Sequence, residues 1–161
     1  MALSSDRLRE LLDYDPLTGR FTWRRAHGRW DQIPAGANAG CISNNRRVIG
    51  IDGKMHYASR LAVLWMTGRM PRQVVDHANG SKSDDRWSNL REATQRQNIG
   101  NRCMQKNNSN GFKGVSFDKR RGLYSARIAA KFLGYFDTPE QAHVAYRGAA
   151  IETFGEFARF A

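Results

Sequence analysis

The chain has 161 residues, with 26 Lys and Arg against 15 Asp and Glu, a net charge of +11 and a pI of about 10.4. That length allows one ordinary domain or two small ones, and 40% hydrophobic with 25% charged residues is the composition of a globular chain, not a disordered one. No apolar run approaches the roughly 18 residues of a membrane span, the opening MALSSDRLRELLDY acquires charge too early for a signal-peptide core, and Cys41 and Cys103 lack the C-x-x-C pairing of a zinc site or the numbers for a disulfide framework. The expectation is a cytoplasmic protein with no membrane partner and no structural zinc, its two thiols buried as small hydrophobes.

The excess of base is spread along the chain: residues 1–55, 56–101 and 102–161 carry +3, +3 and +5. Such a spread suits a protein lying along a polyanion, because counterion release rewards each phosphate contact separately. A membrane-surface protein would instead concentrate its Lys and Arg on one amphipathic helix.

In chain order, Asp6 to Leu12 reads as a short helix with Ser4 or Ser5 as N-cap. Asp15-Pro16-Leu17-Thr18-Gly19 is turn chemistry, Arg20 to Trp23 alternates like a strand, and residues 27–45, rich in Gly, Ala and Asn, read as a loop. Arg47–Ile51 and Lys54–Tyr57 flank Asp52-Gly53, the signature of a type I′ hairpin. Leu61, Leu64 and Trp65 recur at helical spacing, with Ser59 as a candidate N-cap and Gly68 placed to end the helix. Gln73–His77 and Leu90–Ala93 read as strands joined by a polar loop, and Thr94-x-x-Gln97 has the form of a capping box that starts a helix running to about Arg102. Residues 103–111 offer almost nothing to bury, so a domain boundary is expected there. Beyond it come strand candidates at 114–117, 123–128 and 131–136. A helix follows, capped by Thr138, opened by Pro139, and carrying a narrow small-residue stripe of Ala142, Ala145, Tyr146, Ala149, Ala150 and Phe154. Trp65, Phe136 and Phe154 are assigned to core, while Trp23, Trp30 and Trp87 stay undecided.

Asp76, His77, Asn89 and Asn98 supply what a metal-assisted phosphodiesterase needs. A carboxylate and an amide oxygen are hard ligands for Mg²⁺ or Mn²⁺, and a neutral imidazole can take a proton from water near neutral pH. Adjacent Asp76 and His77 point to opposite faces of a regular strand, so they share a site only at a strand end. His27, His56 and His143 are read as structural, and Asp84-Asp85-Arg86 as a loop-closing turn, not a second metal site.

Residues 56–101 resemble the homing-endonuclease branch of the HNH nucleases, through Tyr57-Ala58-Ser59-Arg60-Leu61-Ala62, Val75-Asp76-His77-Ala78-Asn79-Gly80, Asp84 to Thr94, and Gln97-Asn98-Ile99-Gly100-Asn101. The resemblance implies a ββα-metal module in which Asp76 and Asn98 bind one divalent ion, Mg²⁺ or Mn²⁺, and His77 activates water. It also implies that Asn89 pins the loop and that Arg60 and Arg91 contact DNA. Many such proteins have His where this chain has Ser59. The stretch Tyr14-Asp15-Pro16-x-Thr18-Gly19-x-Phe21-x-Trp23 is similar to a segment that precedes the motif in phage-type members, which implies a phage-encoded protein acting in a bacterial host.

The last fifty residues resemble the AP2 DNA-binding domain, through Gly111-x-Lys113-Gly114-Val115-Ser116, Tyr124-x-Ala126-x-Ile128, Leu133 to Ala142, Ala145-Tyr146 and Phe154-Gly155. That family lays a three-stranded sheet in the major groove and packs a helix behind it. The implied DNA contacts here are Lys113, Lys119, Arg120, Arg121, Arg127 and Lys131, with Tyr124, Ala126 and Ile128 turned to the helix.

The expected protein is therefore α+β, with a supporting segment at 1–55, an HNH ββα-metal catalytic module at 56–105, and an AP2-like three-stranded antiparallel sheet plus helix at 106–161. The expected activity is metal-dependent hydrolysis of duplex DNA by a site-selective nicking or homing-type enzyme. The alternative, resting on Ser59, is a DNA-binding regulator with impaired catalysis.

Overall fold

The computed structural model describes residues 3–28, 32–104, 108 and 110–160. Trp30 lies outside the described residues. Contacts divide the chain into two compact units, Met1–Ala93 and Thr94–Ala161.

The first unit opens with α1 (Ser5–Leu11), capped by the Ser4 hydroxyl, which accepts from the Arg7 N–H at 3.1 Å. The chain then turns into β1 (Leu12–Asp15), which pairs antiparallel with β2 (Arg20–Trp23) across the expected turn. Sequence reading did not resolve β1 because Leu11-Leu12 continues the helical stripe. Tertiary packing decides it: Leu12 and Tyr14 alternate inward with Phe21 and Trp23 facing them, and the Tyr14 and Phe21 rings stack at 4.6 Å. Within the expected loop, β3 (Cys41–Ser43) adds a third strand to the hairpin of β4 (Arg46–Ile51) and β5 (Lys54–Tyr57). Two asparagines make the β3–β4 turn, Asn44 at φ 49° and Asn45 at φ 59°, a pair that tolerates the left-handed region without glycine. The Asp52-Gly53 turn forms as read, at φ 48° and 76°.

α2 (Ala58–Thr67) begins two residues earlier than expected, so Ser59 is inside it and 97% buried, not its cap. Gly68 ends it at φ 74°, its N–H reaching the Leu64 carbonyl. β6 (Val74–His77) and β7 (Leu90–Ala93) pair antiparallel with Asp76 opposite Arg91 and His77 opposite Leu90. Leu8, Phe21, Trp23, Ile49, Leu61, Leu64, Val75 and Leu90 share one core, with Trp65 and Trp87 packed against it. Cys41 is exposed at the start of an edge strand whose three residues all face solvent, and Cys103 is exposed too, so neither is the buried hydrophobe expected.

The second unit starts with α3 (Gln95–Gly100), closed at its N-terminus by the Thr94/Gln97 capping box. Its strands β8 (Val115–Asp118), β9 (Leu123–Ile128) and β10 (Lys131–Phe136) form an antiparallel sheet in the order β10-β9-β8. α4 (Pro139–Phe154), capped by Thr138, buries Ala142, Tyr146, Ala150 and Phe154. The division falls after Ala93 instead of within 103–111 because α3 packs on α4 and the tail. A Cβ on Gly100 would lie 2.5 Å from the Phe154 ring, and Lys113 Nζ donates to the carbonyls of Gly100 and Arg159, each at 2.8 Å.

Candidate active site

β6 delivers Asp76 and His77 as the last two residues of a strand that is buried along three of its four positions. The two neighbours take different partners. Asp76 Oδ2 accepts from Arg91 Nε at 3.0 Å, straight across the β6–β7 ladder. His77 Nε2 lies 3.0 Å from Asp85 Oδ1, and both side chains are 97% buried. The ion pairs Arg7–Glu10, Arg7–Asp52 and Arg24–Asp13 of the same unit are by contrast solvent-exposed.

The loop from Ala78 to Ser88 is closed by Asn89. Its Oδ1 accepts from the Asn79 N–H at 2.9 Å, its Nδ2 donates to the Asp84 carbonyl at 2.7 Å, and its carbonyl accepts from the Ala78 N–H at 2.9 Å. One amide side chain thus joins both ends of the loop, and the backbone groups it satisfies would otherwise be stranded next to buried Asp76 and His77. Asp84 faces outward, accepting from Arg86 at 2.6 Å and from Asn79 Nδ2 at 2.7 Å, and the Arg86 guanidinium holds its carboxyl down at about 2. Of the two adjacent acids, Asp84 closes the turn as the sequence implied, whereas Asp85 turns inward.

The other side of the loop rests on the β1–β2 turn. Tyr14 Oη donates to the Asp85 carbonyl at 2.7 Å, and the Trp87 N–H donates to the Pro16 carbonyl at 3.0 Å. Gly19, at φ 73°, sits so close that a Cβ there would be 2.4 Å from Arg86 N and from the Asp85 carbonyl carbon, which only glycine avoids. Burial pushes the Tyr14 phenol well above its ordinary range, and the Asp85 charge adds to the rise.

Residues 56–99 match the family model of the HNH endonucleases. The "Uncharacterized HNH endonuclease L560" of Acanthamoeba polyphaga mimivirus is 32% identical over 107 residues, 66% of this chain and 57% of that protein. "Protein 3.8" of Escherichia phage T7 is 32% identical over 98 residues, 58% of this chain and 80% of that protein. This chain belongs to the HNH endonuclease family. The match spans little more than half the length of the mimivirus relative, and no solved structure matches the chain.

Within the matched HNH segment, Asp76, His77 and Asn89 belong to the first unit, while Asn98 lies on α3 in the second and is half-buried there. Two basic residues expected on DNA have structural work. Arg60 donates to the carbonyls of Gln73 and Pro71, at 3.1 and 2.9 Å, tying α2 to the start of β6. Arg91 is on Asp76. In the second unit Lys113 is half-buried on its two carbonyls, and that burial lowers its pKa. By contrast Lys119, Arg120, Arg121, Arg127 and Lys131 are exposed. Arg127 lies over the Phe132 ring at 5.3 Å and Arg121 over Tyr135 at 4.7 Å, both rings themselves open to solvent.

Sequence reading missed Tyr14 and Asp85 as parts of the site, and placed Arg91 on DNA instead of on Asp76. The Asp76–Arg91 contact follows from strand register once the β6–β7 ends are fixed. Nothing local marks Asp85 over Asp84; only the closed loop separates them.

Proposed function

We propose that this chain is a metal-dependent endonuclease that hydrolyses one strand of duplex DNA per site. The observation that carries the reading is the HNH match at 56–99 with an Asp-His pair buried at the end of β6 inside it. Asp76 and Asn98, the motif's oxygen donors, would hold the ion. Among the described residues no group of three or more His, Cys, Asp or Glu could hold a metal. A donor set of one carboxylate and one amide suits Mg²⁺ or Mn²⁺, which keep waters and accept phosphate oxygens as their remaining ligands. When bound, the ion would neutralise charge developing on the phosphate and the departing 3′ oxygen.

The chain's own residues do the rest. His77 takes a proton from water as its oxygen forms a bond to phosphorus and the P–O3′ bond breaks. Asn89 keeps the 78–88 loop closed over that imidazole. The C-terminal sheet and helix, read as an AP2-like module, hold the duplex through the exposed Lys119, Arg120, Arg121, Arg127 and Lys131, mostly at phosphates. One site per chain makes a monomer a nicking enzyme, and site selectivity of the homing type would come from the sheet. Both relatives are viral, so we read the chain as virus-encoded and acting on DNA in the host; no helix among the described residues is long and apolar enough to cross a membrane.

The test is conversion of supercoiled plasmid to open circle with Mg²⁺ or Mn²⁺ and with EDTA, on the wild type and on His77→Ala. Loss of a general base costs about 10²–10⁴ in rate, so His77→Ala should bind DNA as the parent does and nick at least about 100-fold more slowly. A wild type that binds duplex DNA and nicks it with neither ion would be the DNA-binding regulator instead.

A further inference from the structure

In an antiparallel sheet with one face on the core, the other face ordinarily carries polar side chains. The sheet β3-β4-β5 of the first unit departs from this. Ile49 and Ile51 of β4 point into the core, so by strand alternation Arg46, Val48 and Gly50 point away from it. Register supplies their neighbours: Cys41 and Tyr57 flank Val48, Ser43 stands opposite Arg46, and Met55 stands opposite Gly50. The outer face is therefore one contiguous surface. On it Met55 is 65% and Tyr57 48% exposed, Cys41, Ser43 and Gly50 are open to solvent, and Arg46 and Val48 are half-buried among them.

The charge on this face says what it meets. None of its positions is acidic, and the carboxylate of the β4–β5 turn, Asp52, is taken up by Arg7 at 2.9 and 3.2 Å. Arg46 lies over the Tyr57 ring at 5.4 Å, and among the described residues its guanidinium has neither a hydrogen-bond acceptor nor an ion-pair partner. Arg47, on the inner face, is by contrast bound to the carbonyls of Ala39 and Gly40. Stacking on a ring orients a guanidinium and leaves its in-plane N–H groups to an outside acceptor. An unopposed cation beside aromatic and thioether side chains repels a second copy of the same face and suits a polyanion that also presents apolar edges. Duplex DNA is such a polyanion, because its major groove admits a β-ribbon and displays thymine methyl groups between the phosphates. Both turns of the sheet, Asn44-Asn45 and Asp52-Gly53, are tight and add no bulky loop to its ends.

We propose that the outer face of β3-β4-β5 is a DNA-contacting surface of the first unit, set in the major groove with Arg46 on a phosphate and Met55 and Tyr57 against base edges. It gives the nuclease unit a hold on the duplex separate from the basic residues of the C-terminal sheet, and a second source of site selectivity. The inference rests on the nuclease reading for the identity of the occupant, whereas the surface itself follows from strand register.

The experiment uses the full chain in EDTA, so that binding is read without cleavage, with Arg46→Gln and the double variant Met55→Ala with Tyr57→Ala. Cys41 lies on the face and is exposed, which makes it a built-in probe. With duplex at about ten times its dissociation constant, alkylation of Cys41 by N-ethylmaleimide, read peptide by peptide in the mass spectrometer, should slow about tenfold, the factor by which unbound protein is depleted. Arg46→Gln should reduce the slope of log K against log salt by about 0.9. The double variant should keep that slope and the parent's urea midpoint, and weaken duplex binding by about fivefold or more, the loss expected of base contacts. Cys41 alkylated equally fast with and without duplex would overturn the proposal, as would an Arg46→Gln slope equal to the parent's. A wild type that sediments as a dimer, and that the double variant returns to monomer, would make the face an interface between copies instead. Should the double variant unfold, Arg46→Gln and the Cys41 rates still decide. A full chain that binds no duplex would sink the nuclease reading together with this inference. One that binds duplex with Cys41 unprotected and the Arg46→Gln slope unchanged would overturn this inference and leave that reading standing.

Discussion

Arg91 offers the sharpest test of the site, because its guanidinium occupies the carboxylate that the proposed ion would use. The perturbation is Arg91→Met, which keeps an aliphatic stem against the β6–β7 hairpin and removes the charge. Taking one partner from a fully buried pair costs about 3–5 kcal/mol. Here the Asp76 side chain is 5% exposed but that of Arg91 is 22% exposed, so water reaches one member of the pair, and a loss of about 2 kcal/mol is the scaled expectation. All four tryptophans, Trp23, Trp30, Trp65 and Trp87, lie within Met1–Ala93. Their fluorescence in urea therefore reports the unfolding of this unit and not of the second. With a urea m-value of about 1–1.5 kcal/mol/M for a unit of this size, the midpoint in EDTA should fall by roughly 1–2 M.

Divalent ion should then reverse the loss. An ion at 100 times its dissociation constant adds about 2.7 kcal/mol to the state that binds it, so Mg²⁺ or Mn²⁺ should return the Arg91→Met midpoint to near the wild-type value. The wild type should gain less, since there the cation must displace a guanidinium. The double variant Asp76→Asn with Arg91→Met should ignore the ion. An Arg91→Met midpoint equal to the parent in EDTA, or one that the ion does not raise, would remove both the strength of the pair and the place of Asp76 in metal binding.

Two further predictions separate charges that bind DNA from charges that build the fold. The Asp84 carboxyl is held at about 2 against an ordinary 3.8, so its contribution to stability is present above about pH 4 and is lost as pH falls through about 2. Urea midpoints of wild type and Asp84→Asn should therefore converge near pH 2 and separate above pH 4, and parallel curves would refute the assignment. Lys113→Met should lower the thermal stability of the second unit, followed by circular dichroism, without changing the salt dependence of duplex binding. Arg127→Ala should leave stability alone and reduce the slope of log K against log salt by about 0.9, the value of one phosphate contact; the reverse pattern would exchange their roles.

What was legible in the sequence was whatever local chemistry decides. Asp52-Gly53 can only make one kind of hairpin, Thr94 and Gln97 cap each other within four residues, and Pro139 after Thr138 starts a helix regardless of what it packs on. Where packing overrides propensity, reading failed: Leu12 leaves a helical stripe to alternate with Tyr14 in β1, and Ser59 is swallowed by α2 because Ala58 already faces the core. The placement of Asp76 and His77 at a strand end beside a polar loop was readable from the strand pattern. The fate of Asp84 and Asp85 was not. They are the same residue type one position apart, and which one enters the core depends on Pro16, Tyr14 and Gly19, some seventy residues away in the chain. Lys113 is a related case: a lysine in a basic segment reads as a phosphate contact, and only the fold shows two carbonyls laid against its ammonium group.

The first unit buries two charged or chargeable pairs, Asp76 with Arg91 and Asp85 with His77, at the end of a single strand and in the loop beside it. Stability gives no reason for this. Well-packed apolar residues of the same volume are often neutral or more stabilising than a buried ion pair, and the core already has Phe21, Leu61, Leu64, Val75 and Leu90 within the same cluster. A chain selected only to fold would place leucine or valine at these four positions and would need neither the Asn89 bridges nor the Tyr14 hydroxyl to satisfy the loop around them. The polar groups are instead satisfied one by one, by a guanidinium, an imidazole, an amide and a phenol drawn from three segments of the chain. The physical cost of that arrangement is recovered only where an oriented imidazole and a buried carboxylate act on something, and in a chain of net charge +11 that matches the HNH endonucleases over these residues, the polyanion its surface attracts is what they would act on.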